Sequence, residues 1–458
     1  MLRNSTRRRS SSSASNGTAA FANRRSSITL KDIEYIQTVI ARAKQISAQV
    51  ILLIVVTAPL FIHFYYTLIY KYKGNIWNVH KNWRRFLLKI GHPFPWILVF
   101  ATIPLQFLFF WLLPANEKRL RNNAGQLIRQ RWNAFSACLL QMLLYSFGAC
   151  LDIYRADILV HYWSGVMFAS LILCLLLQWF IFCFVENGSG DEDSSDSTSL
   201  HSFYFGRHSQ PSIFDMDVKA FLTNRVMCPI WACYLISAFA RQRFLFDKTT
   251  PAFLCTALLH FLYLFRRVWS DNCSPDTLDN QNDRAGFYRL WGVLVFLPTL
   301  YLTPVTLSCQ TDSTPSNTFC TIVFIFGLCF QLLTSSIDGQ KREFRLMNGQ
   351  MKINDKDPYY VLAKYRRETG EGATNLLLGS GFYGSARHLN YTFEFFSFLA
   401  WTLPLRFEYP VAYFPVLFLL LLLLGRMSRD ELRCLLKYHQ NWIQYTNRVP
   451  YLLIPHVY

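Results

Sequence analysis

The sequence predicts an all-α, polytopic membrane protein with about ten transmembrane helices. Hydrophobic residues make up 52% of the 458 and charged ones only 16%, a balance too apolar for a soluble chain of this length. Apolar blocks recur near 48–70, 95–114, 134–152, 164–185, 226–240, 252–265, 287–308, 318–335, 390–406 and 410–425. About 20 apolar residues cross a bilayer as a helix, so the short blocks at 226, 252 and 390 suit tilted or re-entrant helices. The third observation is charge: a formal +18, with basic clusters toward both ends. An even number of spans puts both ends on one face, and basic flanks mark that face as cytoplasmic or nucleoplasmic. Such a charge also favours anionic partners: phosphate, nucleic acid or the lipid surface.

In chain order, residues 1–45 form a basic arm, with Arg7-Arg8-Arg9 before Ser10 to Ser13, and Arg24-Arg25 before Ser26-Ser27. Low hydrophobicity with high charge predicts disorder. The arm holds the N-terminus on the cytoplasmic side, or serves as an electrostatic tether tuned by phosphorylation. The start is polar and the first apolar run begins near Val50, so no signal peptide is expected. Spans one to eight occupy 46–336. One loop opposes the charge rule, because 71–94 carries Lys71, Lys73, Lys81, Arg84, Arg85 and Lys89 on the expected lumenal side. The serine-rich acidic stretch 186–216 reads as a solvated linker. Twelve cysteines are scattered mostly through apolar runs without CxxC spacing, which predicts reduced, buried thiols and no metal site. The region 337–458 holds a cytoplasmic loop, the last two spans and three polar clusters. The acceptor triplet Asn390-Tyr391-Thr392 falls on the wrong side for glycosylation.

Those clusters carry the chemistry. Gln340-Lys341 and Phe344-Arg345 come first, with Lys341 and Arg345 four apart on one helix face. Leu376 to Tyr391 follows, with Gly379, Gly381 and Gly384, then Phe382, Tyr383, Arg387, His388, Asn390 and Tyr391. Arg429, Asp430, Arg433, Cys434, Lys437, Tyr438, Trp442 and Tyr445 complete the set before Val449-Pro450-Tyr451. Glycines let a backbone approach a ligand closely, cationic side chains bind phosphates, and aromatic rings stack on flat ones. The same residues also suit a glycine-rich turn with snorkelling cations and an aromatic belt at the headgroups.

In their order and spacing these clusters resemble the sterol reductase family, which contains the sterol Δ14-reductases, the 7-dehydrocholesterol reductases and the lamin B receptor. The likeness is dense over about the last 120 residues, and Ala400-Trp401-Thr402-Leu403-Pro404 resembles the Δ14-reductase and lamin B receptor branch. Upstream, Phe214-Asp215-Met216-Asp217-Val218-Lys219 and Phe221 resemble a family segment that precedes a span. The resemblance implies a cytoplasmic-face C-terminal pocket for NADPH. Its lining would be Lys341, Arg345, Phe382, Tyr383, Arg387, His388, Asn390, Tyr391, Arg429, Asp430, Cys434, Tyr438 and Tyr445. It further implies reduction of a ring double bond of a sterol drawn from the bilayer, in the endoplasmic reticulum or inner nuclear membrane, with Asp283, Tyr301 and Glu394 on the catalytic side. Here the chain departs from the family pattern. Asn282 stands where the family has His, Ala285 replaces a Phe and Pro304 a Gln. Phe393 and Glu394 replace a Gly and an Asp, and Gly425 stands where a His is frequent. An asparagine cycles no proton at neutral pH, so the proton-donor side reads as eroded. The alternative is a catalytically impaired protein of lamin B receptor type, whose basic arm tethers lamina or chromatin. A transporter is disfavoured, because the spans carry no conspicuous ionisable residues.

Overall fold

Among the described residues, six apolar runs fold into helices long and apolar enough to cross a membrane: Pro93–Leu112, Trp163–Phe184, Pro251–Trp269, Phe287–Ser308, Asn317–Leu346 and Pro410–Tyr438. The computed structural model describes residues 92–121, 127–184, 199–207, 211–270, 283–366, 372–455 and 457, with scattered positions between 50 and 73. The helices begin where the sequence provides a start. Thr250 accepts from the Phe253 amide ahead of Pro251, and His92 does the same for the Phe94 amide ahead of Pro93. Proline is pre-organised for that first turn, where its missing N–H costs nothing.

Ten spans were expected, and the other four apolar blocks stand as follows. The 134–152 block folds as a helix of 17 residues, Ala134–Cys150. The 390–406 block folds as Leu389–Thr402, 14 residues, ending in a 3₁₀ turn that contains Pro404. The 226–240 block extends into Cys228–Phe246 and carries Arg241, Gln242 and Arg243 near its end, so it is not apolar along its length. The 48–70 block lies largely outside the described residues, as do the basic arm and most of the 71–94 loop. Helices alone do not complete the fold either. Among the described residues there are three two-stranded antiparallel hairpins, pairing 116–121 with 127–132, 212–213 with 216–217, and 360–366 with 372–378.

The chain divides into two units, 1–46, 333–393 and 422–458 in one, 47–332 and 394–421 in the other. The smaller unit is built on the third hairpin. In Tyr360–Arg366 burial alternates, with Val361 and Ala363 inside and Leu362 and Lys364 outside, as a strand with one covered face requires. Val361, Ala363 and Leu377 pack against Tyr438, Trp442, Tyr445 and Val449, closing one core. Ile337, Phe344, Ile353, Leu378 and Tyr383 form a second.

The larger unit has a core of big side chains, among them Trp231, Tyr234, Phe253, Phe398 and Trp401. Buried hydroxyls in it are paired: Tyr234 with Thr306 at 2.6 Å and Tyr65 with Thr303 at 2.7 Å. Two π-helical segments, Leu222–Met227 and Gly292–Phe296, pack against each other. At Gly206 and Gly286 the main chains cross so closely that a Cβ on Gly286 would lie 2.2 Å from the Phe205 carbonyl carbon.

Candidate functional site

In the smaller unit the first two clusters meet at Gly381. Its φ is +63°, and a Cβ there would lie 2.5 Å from the Gln340 side chain. That side chain accepts from the Phe382 amide at 3.0 Å, so only glycine fits the turn. Lys341, the next residue on the helix, is half-buried with its ammonium 5.1 Å from the Tyr383 ring centre. It forms no ion pair among the described residues, although Asp338 and Asp430 act on it electrostatically. Asp338 instead accepts from Asn390 at 2.9 Å. Burial pushes the Tyr383 and Tyr445 hydroxyls upward, so both remain neutral donors through the physiological range.

Arg387 and His388 are placed otherwise than a free phosphate clamp requires. The Arg387 side chain is only 5% exposed, and its Nε lies 3.0 Å from Glu431 Oε1; His388 Nε2 is 3.5 Å from the same oxygen. Their main-chain amides donate to Tyr451 O and Leu452 O at 3.0 and 2.8 Å, and Thr392 Oγ1 donates to Leu453 O. The motif is thereby stitched to residues 451–453. His388 also stacks on Tyr391 with centres 5.1 Å apart. Tyr438, Trp442 and Tyr445 belong to the core, and Tyr438 OH accepts from Asn375 at 2.7 Å. Arg345 and Arg429 are exposed, Asp430 is half-buried, and Cys434 Sγ lies 4.0 Å from Asp430 Oδ1. Glu431 and Asn375 were not singled out from sequence, although Glu431 stands inside the Arg429–Arg433 cluster.

In the larger unit, Glu394 is the centre of a second polar group. Its Oε1 accepts from the Tyr263 hydroxyl at 2.8 Å and its Oε2 from Arg266 at 2.9 Å. Arg266 also donates to Gln331 O at 3.0 Å and lies 5.1 Å from the Tyr263 ring centre. Tyr301 is buried against Phe398 and Trp231, with ring centres 4.9 and 6.0 Å apart. One turn before Tyr263, His260 stacks on Trp401 at 4.1 Å. Both His260 ring nitrogens and the indole N–H groups of Trp231 and Trp401 are buried and find no hydrogen-bond partner among the described residues. Asp283 sits elsewhere in this unit, 3.5 Å from Arg289, with its main-chain oxygen accepting from Lys219 at 2.9 Å. Pro304 is buried in the first turn of Thr303–Ser308, and Asn282 lies outside the described residues. Tyr263 and Arg266 were missed from sequence. The available signal was an ionisable residue at the end of an apolar block, a mark of function inside a membrane.

The chain thus has the make-up of a polytopic membrane protein, with a cation beside a glycine turn in one unit and a carboxylate–phenol pair in the other. The family model of the Ergosterol biosynthesis ERG4/ERG24 family matches residues 31–458, and the chain belongs to that family of sterol reductases. It is 30% identical over 371 residues to 7-dehydrocholesterol reductase of Arabidopsis thaliana, covering 79% of this chain and 85% of that one. It is 28% identical over 353 residues to Delta(14)-sterol reductase erg24 of Schizosaccharomyces pombe, covering 74% and 78%. A Delta(14)-sterol reductase of Methylotuvimicrobium alcaliphilum is 30% identical over 264 residues, covering 57% and 58%. Reductases named for both double bonds thus stand at similar distance from this chain.

Proposed function

We propose that this protein reduces a ring double bond of a sterol at the expense of NADPH, as a multi-pass protein of the endoplasmic reticulum or inner nuclear membrane. The observation that carries the reading is Lys341. A half-buried ammonium without an ion-pair partner among the described residues, over an aromatic ring and beside a glycine turn, suits a phosphate group. Arg345 and Arg429 would add charge for the 2′-phosphate that separates NADPH from NADH. The nucleotide, when bound, supplies a hydride. The chain's own contribution is then to hold the nucleotide and to deliver a proton. Glu394 and the Tyr263 hydroxyl hold one proton between oxygens 2.8 Å apart, and Arg266 fixes the carboxylate. This supports proton delivery by Tyr263 and Glu394, in place of the altered Asn282 position and of Asp283, which is engaged by Arg289.

The test is calorimetric titration of the purified protein with NADPH and NADH, beside sterol analysis of cells that lack it. Wild type should bind NADPH more tightly than NADH. Lys341→Ala removes one charge-assisted contact, worth about 1.5–3 kcal/mol, and should weaken NADPH binding on the order of ten- to a hundred-fold. Equal, weak binding of both nucleotides before and after the substitution refutes the reading. The sequence of the basic arm supports a second role, a polyanion tether of the kind that would contact lamina or chromatin.

A further inference from the structure

Helices Pro251–Trp269 and Leu389–Thr402 meet along one seam, and the carboxylate–phenol pair does not use all of its polar atoms. Thr256, His260, Tyr263 and Arg266 recur every three or four positions, so they share a helix face. Thr256 donates to Trp401 O at 3.0 Å, His260 stacks on Trp401, and Tyr263 and Arg266 both reach Glu394. His260 therefore lies one turn behind Tyr263 on the same contact.

His260 and Trp401 are fully buried, and Trp231 is 2% exposed. The Trp231 ring centre lies 5.7 Å from that of His260 and 6.2 Å from that of Tyr263. Trp401 lies 4.1 and 5.2 Å from the same two rings. The imidazole thus sits against both indoles, and both indoles border the phenol paired with Glu394. Both imidazole nitrogens and both indole N–H groups lack a hydrogen-bond partner among the described residues. Leucine or phenylalanine would fill the place of His260 without the cost of unpaired buried nitrogens. Four such atoms in one cluster beside the phenol call for a partner that arrives with the substrate.

The atoms themselves define that partner. An imidazole in either neutral tautomer offers one N–H and one lone pair, and each indole offers an N–H. A hydroxyl suits them, with lone pairs for the donors and a proton for the acceptor. An anion would need a cation, and Arg266 is engaged by Glu394. A sterol carries one hydroxyl on an otherwise apolar ring system. The step from His260 to Tyr263 is a rise of about 4.5 Å, so a hydroxyl and a double bond one or two fused rings apart can meet the two residues together.

We infer, on the sterol-reductase reading, that His260 recognises the substrate hydroxyl with the indole N–H groups of Trp231 and Trp401, and so sets the ring double bond against Tyr263.

The experiment measures binding of tritiated 7-dehydrocholesterol to the full chain in detergent micelles, in competition with unlabelled sterol or its 3-O-methyl ether. A 14-unsaturated sterol and its ether run in parallel, because the hydroxyl is read whichever bond is reduced. Wild type should bind the sterol on the order of ten-fold more tightly than the ether, which cannot donate. His260→Phe keeps a ring on Trp401 and loses both nitrogens. It should bind sterol and ether alike, with sterol affinity down about ten-fold and ether affinity unchanged. It should also melt no lower than wild type, because two unpaired buried atoms are gone. His260→Leu makes the same removal without the ring and should lose the preference too, while His260→Gln supplies a donor and an acceptor and should restore it. A wild type that binds sterol and ether equally, or a preference that survives in His260→Phe and His260→Leu, overturns the inference and leaves the reductase reading standing. No sterol binding by wild type would overturn both.

Discussion

The two units solve the problem of polar groups in different ways. In the smaller one the polar groups come from short motifs dense in polar residues, and each motif is held by another motif forty to sixty-odd positions away: Gln340 on Phe382, Arg387 on Glu431, residues 387–388 on 451–452. In the larger one the polar group draws on helices far apart in sequence, with Tyr263 and Arg266 meeting Glu394 more than a hundred positions on. The smaller unit therefore gathers its polar motifs around the glycine turn, with Lys341 in no ion pair among the described residues. The larger unit reads as a closed apolar interior with one proton-holding pair. The difference teaches that the two halves of one reaction should fail separately.

The largest expected effect tests that separation. Tyr263→Phe removes the hydroxyl on Glu394 and should lower turnover by about 10²- to 10⁴-fold, while nucleotide affinity by calorimetry stays at the wild-type value. A Tyr263→Phe protein that loses nucleotide affinity as well would break the comparison. Next comes Glu431→Leu, which removes the carboxylate beside Arg387 and His388. Loss of one partner of this part-buried pair should cost about 1–3 kcal/mol, to be read as a drop in melting temperature. The double change with Arg387→Leu should recover most of it, and a single variant as stable as wild type would show the pair to be dispensable. The smallest effect concerns the basic arm. A peptide of residues 1–30 should bind DNA with an affinity that falls steeply as salt rises. A salt-independent interaction, or none, would leave the arm as a topology signal.

What was legible in the sequence follows the same division. The smaller unit was legible because Lys341, Gly381, Arg387 and Asp430 stand in dense, ordered clusters. Which cations are free was not, because Glu431 neutralises Arg387 through a contact that no spacing rule encodes. The alternation in Tyr360–Arg366, with Val361 and Ala363 turned inward, was a strand signal that went unread among so much helix. In the larger unit hydrophobicity located most helices, while Arg241 to Arg243 and Pro404 set the ends and apolar lengths of two of them in ways that composition alone does not show. Tyr263 escaped notice because an aromatic residue within an apolar block is ordinarily core.

The stitching of Arg387 and His388 to Tyr451 and Leu452 has a consequence for biosynthesis. The two partners lie some sixty positions apart, and chains grow at about 5–20 residues per second. For several seconds after residues 387–388 are made, their amides have no native acceptor, and the last spans must enter the bilayer before one arrives. The smaller unit can only close once 451–453 have left the ribosome. A premature stop near the end of the message would therefore be expected to yield a chain whose spans can insert while residues 387–388 stay unpaired.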